Sequence, residues 1–201
     1  LERVIRANKQ IEVIDMMYLS KGELTRSRRT GLDYVSHCGC VYALGPELAG
    51  LWKKARLRPQ PVTEGKEQAV RRMEGSGLVI TTEETGTLAA YRLLTGCVIC
   101  PNSRKWTDCF LSKPVRRVWK WITEAGLRLT ASELIRLEEQ RVQPTSALLG
   151  EDGRQRLTEM IYFAETIPDG ILETLMEHSP ARDTVIGALL ELLRTRRLLL
   201  I

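Results

Sequence analysis

PELAGLWKKARLRPQPVTEGKEQAVRRMEGSGLVITTEETGTLAAYRLLT, residues 46–95, carries the punctuation from which the fold is read. Pro46 suits the first turn of a helix, where its absent N–H is not needed and its φ is already helical. Leu48, Leu51, Trp52 and Ala55 then recur at helical spacing and define one apolar face, with Lys53, Lys54 and Arg56 outside it. Pro59 and Pro61 stop that helix, and Thr63 is placed to cap a second one. Ala69, Val70 and Met73 supply its apolar stripe, and Glu74-Gly75-Ser76-Gly77 supplies its end. Leu78-Val79-Ile80 predicts a short buried strand, residues 81–87 (TTEETGT) a turn, and residues 88–94 a second strand.

The helical half of this pattern recurs. Pro114 opens a stretch in which Val115, Val118, Trp119 and Ile122 line one face, and Gly126 ends it. Thr130-Ala131-Ser132-Glu133 has the form of a capping box, and Leu134, Leu137 and Val142 continue the apolar face. Trp52 and Trp119 lie 67 residues apart, as do Thr63 and Thr130, which points to duplication. A third version starts at Pro168, with Ile171, Leu172, Leu175 and Met176 on a first helix and a break at His178-Ser179-Pro180. Val185, Ile186, Leu189, Leu190 and Leu193 follow on a second helix, whose wide apolar arc fits either a central core helix or a homodimer interface. Gly150 and Gly153 mark a turn between the later repeats, and Leu157, Met160, Ile161, Phe163 and Ala164 predict a connecting helix.

Upstream, residues 1–19 are compatible with a helix merging into a strand, and residues 21–29 (KGELTRSRR) predict a loop or a short exposed helix. Residues 32–44 (LDYVSHCGCVYAL) predict a strand or tight hairpin about Gly39. Residues 102–108 have the composition of a linker. The expectation is an α+β chain, mostly helical, with a winged-helix-like unit and repeated helix-turn-helix elements. Residues 1–100 would form an N-terminal segment plus that unit, and residues 101–201 a helical domain.

Through AVRRMEGSGLVI, the TEETGT turn and the segment after it, residues 46–95 resemble the winged helix-turn-helix superfamily. The two later repeats resemble only its helical part. The resemblance implies DNA binding as the commonest role, with protein interaction a frequent second use. On it, the helix beginning at Thr63 would enter the major groove of double-stranded DNA, with Lys66, Arg71 and Arg72 on base edges and phosphates. Arg26, Arg28 and Arg29 would form a phosphate-contacting arm. Glu83 and Glu84 occupy the wing, and Glu64, Glu67 and Glu74 dilute the helix, features that favour a protein- or peptide-binding adaptor on the same scaffold. Convergence of the six cations on one exposed stripe would decide for DNA, whereas interruption of that stripe by Glu83 and Glu84, or its cover by a neighbouring helix, would decide for the adaptor. The run Arg136, Glu138, Glu139, Gln140, Arg141 is mixed in sign and is not nominated.

Composition narrows the classes. A 43% hydrophobic and 27% charged balance is ordinary for a globular chain of 201 residues, and the formal charge of +5 is informative only where it clusters. Five cysteines without a recognised signal peptide argue against a disulfide framework and for reduced thiols in the cytoplasm. Cys38 and Cys40, with Cys97 and Cys100, admit a four-thiolate zinc site near Cys109 and His37, but the one-residue gap in the first pair is poor for it. Reduced, partly buried thiols are the alternative, so no metal and no cofactor are assigned. His37 and His178 sit in no catalytic motif, and the chain is expected not to be an enzyme. No apolar run has the length of a membrane span, and the chain opens at Leu1, as a trimmed chain would. Trp52 and Trp119 fall at core spacing, whereas Trp106 and Trp121 are expected at a surface that meets a partner.

Overall fold

The structure, a computed structural model, describes residues 16–26, 31–102, 111–162 and 169–201. Of the predicted linker all but Asn102, together with Trp106, Cys109, Arg28, Arg29, Phe163, Ala164, Pro168 and most of residues 1–19, lies outside the described residues.

The chain enters through β1 (Met17–Ser20), β2 (Glu23–Arg26), β3 (Asp33–His37) and β4 (Cys40–Leu44). Residues 32–44 form a hairpin, with His37 paired to Cys40 and the turn made by Cys38 and Gly39. The expected loop or helix in KGELTRSRR is instead β2, because Leu24 registers opposite the fully buried Val35 and extends the hairpin into a β2-β3-β4 sheet. Gly22 makes the sharp passage from β1 to β2 with φ +92°, and a Cβ there would meet the Ser36 carbonyl oxygen at 2.6 Å.

Next, α1 (Pro46–Ala55) buries Ala49, Leu51, Trp52 and Ala55, the face that its spacing predicts. Its backbone is tied to β1: the Tyr18 hydroxyl donates to the Leu51 carbonyl at 3.2 Å, and the Ser20 hydroxyl to the Trp52 carbonyl at 2.8 Å. The indole N–H of Trp52 donates to the Lys21 carbonyl at 3.1 Å. A second sheet, β5-β1-β6, is completed by β5 (Gln60–Pro61) and β6 (Val79–Thr82).

Between them, α2 (Glu67–Gly75) starts later than the sequence suggests. Gly65 takes φ +76°, Lys66 donates its N–H to the Thr63 carbonyl at 3.0 Å, and Lys66 rather than Thr63 occupies the N-cap. A left-handed residue two positions after Thr63 interrupts the helix that Thr63 would have capped. The end is as expected: Gly77, φ +71°, donates to the Glu74 carbonyl at 2.8 Å, and Leu78 to the Met73 carbonyl at 2.9 Å.

The larger correction follows β6. The predicted return strand is a helix, α3 (Gly86–Thr95), with Ala89, Ala90, Tyr91, Leu93 and Leu94 buried. Two physical causes combine. The segment is rich in alanine and leucine, which favour helix, and its consecutive apolar positions face several partners at once. Meanwhile β6 pairs with β1, so residues 79–95 form no two-stranded wing.

The rest of the chain surrounds one helix. β7 (Ile99–Pro101) pairs with β8 (Leu198–Leu200). Between them come α4 (Lys113–Glu124), α5 (Ala131–Glu139), α6 (Ser146–Leu149), a 3-10 turn (Glu151–Gly153), α7 (Arg154–Tyr162), α8 (Asp169–Glu177) and α9 (Arg182–Arg194). The wide apolar arc of α9 is explained by its neighbours, since α3, α4, α5 and β8 all pack on it. Trp121, expected at the surface, is buried on α4. One hydrophobic cluster joins β1, α1, α2 and β6, while a larger one joins α3, α4, α5, α8 and α9, so the packing changes hands before α3. The architecture is α+β. Among the described residues no helix is long and apolar enough to cross a membrane.

Candidate nucleic-acid interface

The clearest concentration of like charge is on α4, whose sequence KPVRRVWKWITE separates into two faces. Val115, Val118, Trp119, Trp121 and Ile122 are buried, and the helix packs against α9 through them. The complementary positions, Lys113, Arg116, Arg117 and Lys120, follow i, i+3, i+4, i+7 spacing and form one cationic stripe. Ser112 precedes the helix in extended conformation and Pro114 lies in its first turn, so the stripe begins at the positive end of the helix dipole.

A second element completes a cleft. The capping box predicted at Thr130 is formed: Glu133 N–H donates to Thr130 Oγ1 at 3.2 Å, and Thr130 N–H to Glu133 Oε2 at 2.6 Å. At the other end of α5, Arg141 takes φ +57° and Val142 donates to the Leu137 carbonyl at 2.9 Å, which turns the chain back towards α4. Gln143 and Pro144 thereby join Lys113, Arg116, Arg117 and Lys120 around an open concavity of about 360 Å³.

The charges in this cleft are weakly compensated. Arg117 pairs with Glu138, while its Nε is buried with no hydrogen-bond partner among the described residues. Arg116 donates to the Leu111 carbonyl at 3.2 Å and makes no ion pair among the described residues. Lys113 and Lys120 make no ion pair among the described residues. Four cations within about two helical turns repel one another in the free protein, and an extended anion relieves that repulsion. A donor set of ammonium and guanidinium groups suits phosphate oxygens.

The residues nominated from the sequence are arranged differently. Lys66 pairs with Glu47 at 2.7 Å, and Arg71 with Glu74 at 3.3 Å. Helical geometry sets Lys66 and Arg71 roughly 140° apart around the axis, so these residues do not form one stripe. Arg72 is exposed, and Arg26 stands in β2 opposite Asp33. Glu83 and Glu84 flank no wing tip; they precede α3, where acids are favoured by the helix dipole. The α4 stripe is not among the cations that the resemblance nominates, although KPVRRVWK carries four cations and no acid interleaved with its apolar face.

Two other features bear on function. Thr25, Tyr34, Ser36 and Val41 line a shallow concavity of about 290 Å³ on the β2-β3-β4 sheet, where Val41 is 68% exposed. Cys97 and Cys100 are buried, and burial pushes the Cys97 thiol up to about 12, whereas Cys38 and Cys40 are exposed. Among the described residues, no group of three or more His, Cys, Asp or Glu side chains is placed to hold a metal ion, so the two cysteine pairs do not combine.

Compared with known proteins, the chain matches no family model, no curated sequence and no solved structure.

Proposed function

We propose that the protein is a non-enzymatic, cytoplasmic DNA-binding regulator whose main phosphate contacts come from α4. The observation that carries this reading is the stripe of Lys113, Arg116 and Lys120 beside Arg117, set in a cleft with Gln143, in which the first three have no acidic partner among the described residues. In the proposal, α1 and α2 act as a helix-turn-helix-like pair without a wing. Arg72, Lys66 and Arg71 are secondary contacts there, with Arg26, Arg28 and Arg29 as an arm.

Titration of a mixed-sequence DNA duplex, followed by fluorescence anisotropy across a salt series, tests it. Binding should weaken steeply with salt, since each phosphate neutralised releases about 0.9 counterion. Replacing Lys113, Arg116 and Lys120 with alanine should lower the salt slope by about 3 and weaken binding at every salt concentration. Absence of binding at low salt, or binding indifferent to this triple substitution, would sink the proposal.

A second reading has its own support. The exposed Val41 beside Tyr34, Thr25 and Ser36 offers a small apolar surface on a sheet, which suits an adaptor for a protein or peptide. A Val41→Lys substitution that left DNA binding intact but abolished capture of a protein partner would favour the adaptor.

A further inference from the structure

The tip of the β3–β4 hairpin gathers groups that neither DNA contact nor peptide docking uses. Cys38 and Gly39 form its turn with φ of +49° and +79°, and the strands re-pair at once with His37 opposite Cys40. A left-handed backbone is uncommon for cysteine, and here it accompanies a specific contact: Cys38 Sγ lies 3.4 Å from His37 Nε2. The His37 ring is largely enclosed, at 8% exposed, and its Nδ1 is buried without a hydrogen-bond partner among the described residues, which leaves Nε2 as the ring atom with a polar neighbour. Both cysteines are exposed and in no disulfide, and they are separated by one glycine.

Burial, and secondarily the charge of Lys21, hold the His37 imidazole below its usual pKa, so the ring meets the thiol uncharged, and a proton taken from Cys38 is held only briefly and passed on readily. Reactive thiols characteristically combine exposure with a neighbouring base, and a second thiol within reach converts a mixed disulfide into an internal one.

We propose that Cys38 and Cys40 form a thiol–disulfide exchange site for small-molecule disulfides, with Cys38 as the attacking thiol, His37 as proton acceptor and Cys40 as the resolving thiol. In the first step the Cys38 proton passes to His37 Nε2, and the sulfur attacks one sulfur of the disulfide. A Cys38–S–S bond forms, the disulfide's own bond breaks, and one small-molecule thiolate leaves, taking up the proton. In the second, Cys40 sulfur attacks Cys38 sulfur, loses its proton to the departing small-molecule sulfur and closes the Cys38–Cys40 bond. Two protein thiols are oxidised, and one small-molecule disulfide is reduced to two thiols. The buried Cys97 and Cys100 are an internal contrast, shut off from the same reagent.

The test uses the reduced full chain, glutathione disulfide as probe, and peptide-resolved mass spectrometry. The native protein should accumulate an internal Cys38–Cys40 disulfide, detected as the loss of a pair of hydrogens from the hairpin peptide. Cys40→Ser should stop at a mixed disulfide on Cys38. Because both cysteines are exposed, serine at either position leaves the packing alone. In the Cys40→Ser protein, Cys38 should react about tenfold faster in the folded chain than in urea, where the His37 contact is lost. Equal rates in the two states, or a Cys40→Ser protein modified at Cys97 or Cys100 but not at Cys38, would overturn the assignment.

Discussion

The α1–α2 pair and the α4–α5 pair begin from the same sequence plan and reach different surfaces. Each is opened by proline, each buries a tryptophan, and each has a threonine 11 residues after it. Thr130 caps its helix, whereas Thr63 is separated from its helix by a turn through left-handed Gly65. On α2, the cations Lys66 and Arg71 are matched with acids; on α4, Lys113, Arg116 and Lys120 have no acidic partner among the described residues. Apolar spacing decides where a helix lies. The partners of its charged side chains are decided by what the fold brings beside them.

The likeness is tested most severely at the two tryptophans. Both rings lie under an arginine, Trp52 under Arg56 and Trp119 under Arg197, each 5.7 Å from ring centre to charge, but Trp52 is fully buried and donates its indole N–H to the Lys21 carbonyl, while Trp119 is 7% exposed. Each substitution to alanine should cost about 3–5 kcal/mol of stability, measured by chemical denaturation. If Trp52→Ala cost less than ~1 kcal/mol, α1 would not anchor the N-terminal cluster as α4 anchors the other, and the parallel would fail.

The charge difference should appear in binding rather than stability. Reversing Arg116 and Lys120 to glutamate should weaken duplex DNA binding by roughly tenfold per position, about 1.4 kcal/mol each, with a shallower salt dependence. Reversing Arg71 and Arg72 should cost less, since Arg71 already shares its charge with Glu74. Anisotropy titrations of the two double variants make the comparison direct. A larger loss from the α2 pair would return the DNA-contacting role to the helix that sequence similarity favours.

Sequence legibility follows the same division. The faces of α1, α4 and α9 were visible because three- and four-residue spacing survives any tertiary context, and the capping box was visible because its four residues act locally. The return strand was misassigned because apolar continuity across Leu88, Ala89, Ala90, Leu93 and Leu94 does not distinguish a strand from a helix buried on several sides. What settled it is non-local: β6 pairs with β1, roughly sixty residues upstream by Val79 and Ser20, so no partner strand was required next to it. Trp121 was misplaced for a related reason, as α9 and β7 both pack on α4 and leave only its cationic face open. That face was legible in principle, because subtracting the apolar stripe from KPVRRVWK leaves its four cations together.

The smallest expected effect discriminates most finely between the two helix pairs. Thr130 Oγ1 accepts the Glu133 N–H, and Glu133 also receives the Tyr162 hydroxyl at 2.7 Å, which couples the cap of α5 to α7. Thr130→Ala removes the side-chain half of this box and should destabilise the protein by about 1 kcal/mol. Thr63 is exposed and its side chain caps no helix, so Thr63→Ala should change stability by less than ~0.5 kcal/mol. The urea midpoints of the two alanine variants, taken at unchanged slope, give the difference. Equal losses at the two positions would mean that residues 63–66 enter α2 as a continuous capped helix, and the equivalence implied by the common 67-residue offset would then extend from the tryptophans to the caps.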